Sequence, residues 1–136
     1  MIVDSSAIVA VLLREPEAPV IERMMVEIPC FMSAATLVEV RAVIGGRTGV
    51  DGLRDLAALL RRFAVDVVPF DERQADVAGD AYRDYGRGSG HAAQLNLGDT
   101  FSYALASVRD EPLLYVGDDF SHTDIRSALP PTPAAP

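Results

Sequence analysis

Met1-Ile2-Val3-Asp4-Ser5-Ser6-Ala7-Ile8-Val9-Ala10-Val11-Leu12-Leu13 opens the chain with an apolar strand, a carboxylate, two hydroxyls and an apolar helix. Met1 to Asp4 reads as a short buried strand ending on a charge. Ser5 and Ser6 suit the start of a helix, because their hydroxyls accept from free backbone N–H groups. Ala7 to Leu13 is apolar almost all round, so that helix should be buried as well. A carboxylate that ends a buried strand is not an ordinary turn device, and it makes Asp4 the first candidate for chemistry.

The same alternation continues along the chain. Arg14-Glu15-Pro16 breaks the first helix. Glu17 to Glu27 carries Val20, Ile21, Met24 and Met25 at helical spacing, which suits either a core face or a partner surface. Pro29-Cys30-Phe31-Met32 reads as a second strand. Ser33 can cap a helix with Leu37, Val40 and Ile44 on one face, ended by Gly45 and Gly46. Asp51 to Phe63 is amphipathic, and Val65 to Phe70 is a β-branched run that reads as a third strand. Asp71 can cap a helix running to about Tyr85. Gly86 to Gly98 holds four glycines and reads as a loop. Asp99 then opens a helix with Phe101, Leu105 and Val108 on one face. Leu113-Leu114-Tyr115-Val116 is a fourth strand, running into Gly117-Asp118-Asp119. Alternating strands and helices predict an α/β sandwich with a mainly parallel sheet. Ligands of such folds bind beyond the carboxyl ends of the strands, where Asp4 and Asp118 fall.

The 136 residues fit one domain, and 49% hydrophobic residues can supply a core. Cys30 is the single cysteine; it sits in an apolar run and reads as a small core residue in a reducing compartment. Asp4 interrupts any leader pattern, and no apolar run approaches membrane-spanning length, so a cytoplasmic location is expected. The net charge of −8 argues against RNA binding by a broad basic surface. All 12 basic residues are arginine, which excludes a P-loop lysine, a Schiff-base lysine and a lysine general base. Arginine also suits two-pronged contact with phosphate, and Arg41, Arg83, Arg87 and Arg109 are candidates for it.

Asp4, Glu39, Asp99 and the Asp118-Asp119 pair each follow or sit within apolar sequence. Each has a plain alternative: Asp99 suits a helix N-cap, Glu39 a solvated helix position, and Gly117-Asp118 a turn. Together they say more. At an effective dielectric near 20, two carboxylates about 5 Å apart repel by roughly 3 kcal/mol. Several in one cleft need a cation or shared protons. Oxygen donors without histidine or thiol clusters point to a hard cation, Mg²⁺ or Mn²⁺, and such ions act on phosphate esters.

Four blocks carry a family resemblance, in order and over nearly the whole chain to about Leu129. They are Met1-Ile2-Val3-Asp4-Ser5-Ser6-Ala7, Ser33-Ala34-Ala35-Thr36-Leu37-Val38-Glu39-Val40, Leu95 to Ala106 with Gly98-Asp99-Thr100, and Leu113-Leu114-Tyr115-Val116-Gly117-Asp118-Asp119-Phe120. The set resembles the PIN-domain nuclease pattern. The resemblance implies a three-layer α/β/α sandwich around a mainly parallel sheet of about five strands, forming one nuclease domain over residues 1–129. Residues 130–136 would be a disordered proline-rich tail. The family's first three acidic positions fall on Asp4, Glu39 and Asp99. The fourth is variable, and here Asp118 and Asp119 compete for it, with Asp118 favoured.

Short stand-alone chains of this kind resemble VapC toxins of VapBC toxin–antitoxin pairs. The resemblance implies an Mg²⁺-dependent endoribonuclease, with Mn²⁺ as a substitute, that acts on RNA, is silenced by a VapB-type antitoxin and forms a homodimer. Asp4 and Asp99 would bind the metal. Glu39 and Asp118, or Asp119, would complete the site or orient water. Thr100 or Ser102 could add a hydrogen bond near the phosphate, although Ser102 also fits a structural role inside the helix. His91 is open between a base and a loop or substrate contact, and His122 is equally open.

Rival classes fit less well. A receiver-type domain would need a lysine. A haloacid-dehalogenase phosphatase would need an acid where Ser6 stands. A catalytically silent PIN-like interaction module is the remaining alternative, and the complete acidic set argues against it.

Overall fold

The computed structural model describes residues 1–131. Most of the proline-rich tail, residues 132–136, lies outside the described residues, and the expectation of disorder made for it with them. In chain order the elements are β1 (Ile2–Val3), α1 (Ser5–Leu12), α2 (Ala18–Glu27), β2 (Phe31–Ser33) and α3 (Ala34–Arg62). They continue with β3 (Asp66–Val68), α4 (Glu72–Tyr85), α5 (Leu97–Arg109) and β4 (Leu113–Leu114).

The strands form one sheet in the order β3-β2-β1-β4, and every pairing is parallel. Among the described residues it has four strands, fewer than the five that the resemblance implies. A lone parallel bridge from Leu113 to Ser127 marks where a further strand would extend the β4 edge. Beyond that bridge the chain passes into Pro130 and Pro131, and proline cannot donate to a ladder.

Strand alternation explains the layering. Ile2 and Leu113 point into one core, and Val3 and Leu114 into the other. The first core joins Ile2 and Leu113 to Ala81, Tyr103, Leu105 and Phe120, under α4 and α5. The second joins Val3 and Leu114 to Ile8, Ile21, Met25, Met32, Val40, Ile44 and Leu56, under α1, α2 and α3. Where both sheet faces are covered, at β1 and β4, the strands read as unbroken apolar pairs rather than polar–apolar alternation. Each fully buried Ile, Val or Leu contributes about 1.5–3 kcal/mol of transfer free energy. The result is the α/β sandwich that the sequence predicts, in the three-layer α/β/α form that the family resemblance implies.

Three local readings are corrected. Gly45 and Gly46 do not end a helix. The first of the two helices expected there runs on to Gly49, where φ 67° and ψ −155° break the helical path, and the second follows, so α3 is two helices meeting at a kink. That conformation suits glycine, whereas a Cβ at Gly45 would only touch Leu53 at 3.6 Å. The methionine stripe of α2 is core rather than partner surface: Ile21 and Met25 are buried, and Met24 is packed against the same cluster. The helix expected to open at Asp99 begins two residues earlier, at Leu97, because Asn96 caps it. Cys30 is buried in the core as expected.

Candidate active site

The parallel sheet aims all its strand ends one way, so β1 and β2 run directly into the first turns of α1 and α3. Asp4 follows β1 and is only 2% exposed. It is also the N-cap of α1, a role the sequence reading gave to Ser5 and Ser6. Asp4 Oδ2 accepts from the Ser6 backbone N–H at 3.1 Å and from the Ser6 hydroxyl at 2.6 Å. Oδ1 accepts from the Ser102 hydroxyl at 2.6 Å, across 98 residues of sequence. Ser102 lies 3.1 Å from the buried Thr36 hydroxyl. The Ser6 hydroxyl also accepts from the Val116 N–H at 3.1 Å, which ties the end of β4 to the same corner.

Glu39 projects from the second turn of α3. Its Oε1 accepts from the Ser5 hydroxyl, and its Oε2 lies against the backbone of Gly98. Burial pushes its carboxyl above the ordinary range; the Ser5 bond opposes this, and the nearby charge of Asp4 adds to it.

Asp99 is the third residue of α5 and is 7% exposed. It completes a reciprocal cap: its Oδ2 accepts from the Asn96 N–H at 2.9 Å, and its own N–H donates to Asn96 Oδ1 at 2.9 Å. Its carboxyl is raised from 3.8 to about 7, with burial the largest cause. The Asn96 bond pulls the other way, and the charges of Asp4, Asp119 and Glu39 push further up. Ser5, next to Asp4, bonds Glu39, and Glu39 lies against Gly98, next to Asp99, so these three carboxylates share one corner of the fold; the charge of Asp119 also acts on Asp99. Among the described residues none of the four takes part in an ion pair with an arginine.

The remaining candidates divide. Asp119 acts on Asp99, whereas Asp118 lines a separate surface groove of about 680 Å³ with Glu17, Tyr115, Ser121 and Leu129. The Thr100 hydroxyl donates to the Leu97 carbonyl at 2.6 Å and is spent on its own helix. His91 Nδ1 accepts from the Ala93 N–H at 3.1 Å, and its ring packs edge-on to Tyr85 at 4.9 Å; this makes it a loop-stabilising residue. His122 is exposed. Arg83 pairs with Asp80 and Asp84. Arg109 pairs with Glu111 and lies over the Phe31 ring at 4.1 Å. Among the described residues Arg41 and Arg87 are exposed and outside any salt bridge.

The donor chemistry fits a hard divalent cation. Two buried carboxylates and one half-buried one meet without a positive partner, each with oxygen lone pairs left over, at the N-termini of α1, α3 and α5. Burial is the main cause of the raised Asp99 carboxyl, and the three neighbouring acidic charges add to it. Among the described residues no three such side chains already stand at ligand distance round one point.

Sequence reading missed Ser5, Gly98 and Asn96 as site residues. Ser5 looked like a cap and Asn96 like loop, and Gly98 was counted with the flexible glycines.

Parallel strands that deliver acidic residues to one edge define a nuclease-type α/β sandwich, and the comparisons agree with it. The PIN domain model matches residues 1–126, and the chain belongs to the PIN-domain family. Within it the chain groups with the VapC ribonucleases. It is 52% identical to ribonuclease VapC42 of Mycobacterium tuberculosis over 129 residues, covering 94% of this chain and 98% of that protein. Ribonuclease VapC30 of the same species is 47% identical over 135 residues, with 96% and 100% covered. Ribonuclease VapC of Mycolicibacterium smegmatis is 46% identical over 126 residues, with 92% and 97% covered.

Two solved structures share the fold. The Mycobacterium tuberculosis toxin VapC20, described as cleaving the sarcin-ricin loop, superposes with a TM-score of 0.73 at 20% identity, covering 95% of this chain and 98% of that one. A chain of Rickettsia felis VapBC2, bound to a DNA fragment from their promoter, gives 0.72 at 12% identity, with 93% and 95% covered.

Proposed function

We propose that the chain is the toxin of a type II toxin–antitoxin pair. In this reading it is a metal-dependent endoribonuclease that hydrolyses RNA phosphodiester bonds with activated water and is silenced by a cognate VapB-type antitoxin. One observation carries the reading: Asp4, Glu39 and Asp99 gather, without a counter-cation among the described residues, at the carboxyl edge of a PIN-type sheet. PIN-domain VapC nucleases are generally dependent on a divalent metal. Mg²⁺, with Mn²⁺ as substitute, suits the all-oxygen donors.

Asp4 and Asp99 would hold the ion, with Glu39 and a fourth carboxylate completing the site. The charge of Asp119 reaches Asp99 and favours it over Asp118 for that fourth place. A bound ion supplies acidified water and neutralises phosphoryl charge. The chain's own residues do the rest. Ser6 and Ser102 hold Asp4 by both oxygens, and the Asn96 N–H holds Asp99. Glu39, with its raised carboxyl, is suited to orient the attacking water and take its proton. Arg41 and Arg87, exposed and outside any salt bridge among the described residues, are suited to phosphate contact.

A cytoplasmic location belongs to the same proposal; no helix among the described residues is long and apolar enough to cross a membrane. We also propose a homodimer. Val38 and Leu97, 69% and 62% exposed beside Glu39 and Gly98, are apolar rim positions that a second chain would cover.

End-group analysis of cleaved RNA tests the chemistry. The products should carry 5′-phosphate and 3′-hydroxyl ends, and EDTA should abolish cleavage. A 2′,3′-cyclic phosphate formed in EDTA would overturn the proposal, because it marks attack by the RNA's own 2′-hydroxyl.

A further inference from the structure

Gly98 sits inside the first turn of α5, and its φ lies outside the left-handed region. Backbone conformation therefore gives no reason for a glycine there, and glycine inside a helix costs about 1 kcal/mol relative to alanine. The space around it supplies the reason. A Cβ at this position would collide with Glu39 Oε2, stand 2.5 Å from Glu39 Cδ, and reach Asn96 Oδ1 at 3.3 Å. The other oxygen of the same carboxylate takes the Ser5 hydroxyl. Glu39 is thus clamped between a donor on α1 and a bare α-carbon on α5, and Asp4, the cap of the first helix, and Asp99, in the first turn of the second, flank the clamp.

We infer that Gly98 is a positioning residue: its missing side chain sets where the Glu39 carboxylate stands relative to Asp4 and Asp99. The inference rests on the proposal above that these carboxylates form the metal site. The colliding atoms belong to the end of a flexible side chain, so a methyl group at position 98 displaces Glu39 and leaves the fold in place.

The test is Gly98→Ala in the full chain, read by crystallography and by Mn²⁺ calorimetry. The expected structure keeps the backbone, with Glu39 swung off Ser5. Mn²⁺ affinity should fall at least tenfold. Glu39→Asp, one methylene shorter, should cost less affinity in the Gly98→Ala background than alone, because the shorter side chain withdraws from the new methyl. Ser5→Ala releases the carboxylate from the opposite side and should lower affinity at an unchanged melting temperature. Gly79→Ala, where a Cβ meets nothing within 4 Å, should leave affinity as it is.

A Gly98→Ala crystal with Glu39 still on Ser5, Mn²⁺ affinity within twofold of wild type, or a Gly98→Ala chain that does not fold would each overturn the inference. Failure of the metal-site reading looks different. There, Asp4→Asn with Asp99→Asn would leave Mn²⁺ affinity unchanged, while the crystallographic position of Glu39 still decides the role of Gly98.

Discussion

Replacing Asp99 by Asn should stabilise the metal-free protein and destabilise the metal-loaded one. Asp99 is 7% exposed, and burial with three acidic neighbours lifts its carboxyl from 3.8 to about 7. Because the folded value lies above the unfolded one, the group's contribution to stability is fully present below about pH 4. It is lost as the pH rises from about 4 to about 7. The whole displacement corresponds to about 4 kcal/mol at 1.36 kcal/mol per unit, and roughly half is expected once the surroundings relax about the charged form.

Asn keeps the size of Asp and an oxygen acceptor for the Asn96 N–H, so the cap at the start of α5 survives. In EDTA, urea denaturation at pH 8 should therefore show Asp99→Asn more stable than wild type by about 2 kcal/mol, with the difference shrinking to near zero by pH 4. Saturating Mn²⁺ should reverse the order, since a ligand that binds only the folded state stabilises it by RT ln(1 + [L]/Kd) and the variant has lost a ligand oxygen. A wild type whose stability in EDTA is flat from pH 4 to 8, or an Asp99→Asn variant less stable at pH 8, would refute the reasoning.

Two further substitutions separate site from scaffold. Ser102→Ala removes the donor to Asp4 Oδ1 and strands the buried Thr36 hydroxyl; it should cost about 1–3 kcal/mol in denaturant melts and lower Mn²⁺ affinity in calorimetry. Gly49→Ala strains the left-handed kink of α3, so chemical denaturation should show a loss of about 1 kcal/mol or more, with Mn²⁺ affinity as in wild type.

Much of the molecule was legible before its structure. Ile2-Val3, Leu113-Leu114 and the helical spacing of Leu37, Val40 and Ile44 announce a sheet covered on both faces, because burial on two sides needs unbroken apolar runs. Asp4 and Asp99 stood out as charges where apolar neighbours gave no bland reason for them. Gly45-Gly46 misled because glycine ends helices only as a tendency; the break falls three residues later, at Gly49, the glycine of the three whose φ is positive. The Met24-Met25 stripe was ambiguous because core and partner faces share one composition, and only the neighbours of Met25 tell them apart.

What the amino-acid order determined alone was everything local or periodic: the alternation of strands and helices, the acidic residues at strand ends, and the absence of lysine and of histidine clusters. Those features arise from side-chain chemistry and from spacings of a few residues, so they survive without coordinates. Only the tertiary structure decided which distant groups touch. It alone brought Ser102 to Asp4 across 98 residues, set Ser5 against Glu39, and placed the Glu39 carboxylate against the bare α-carbon of Gly98. The physical reason is that a hydrogen bond or a steric collision acts over a few ångströms of space, whereas the sequence records only distance along the chain.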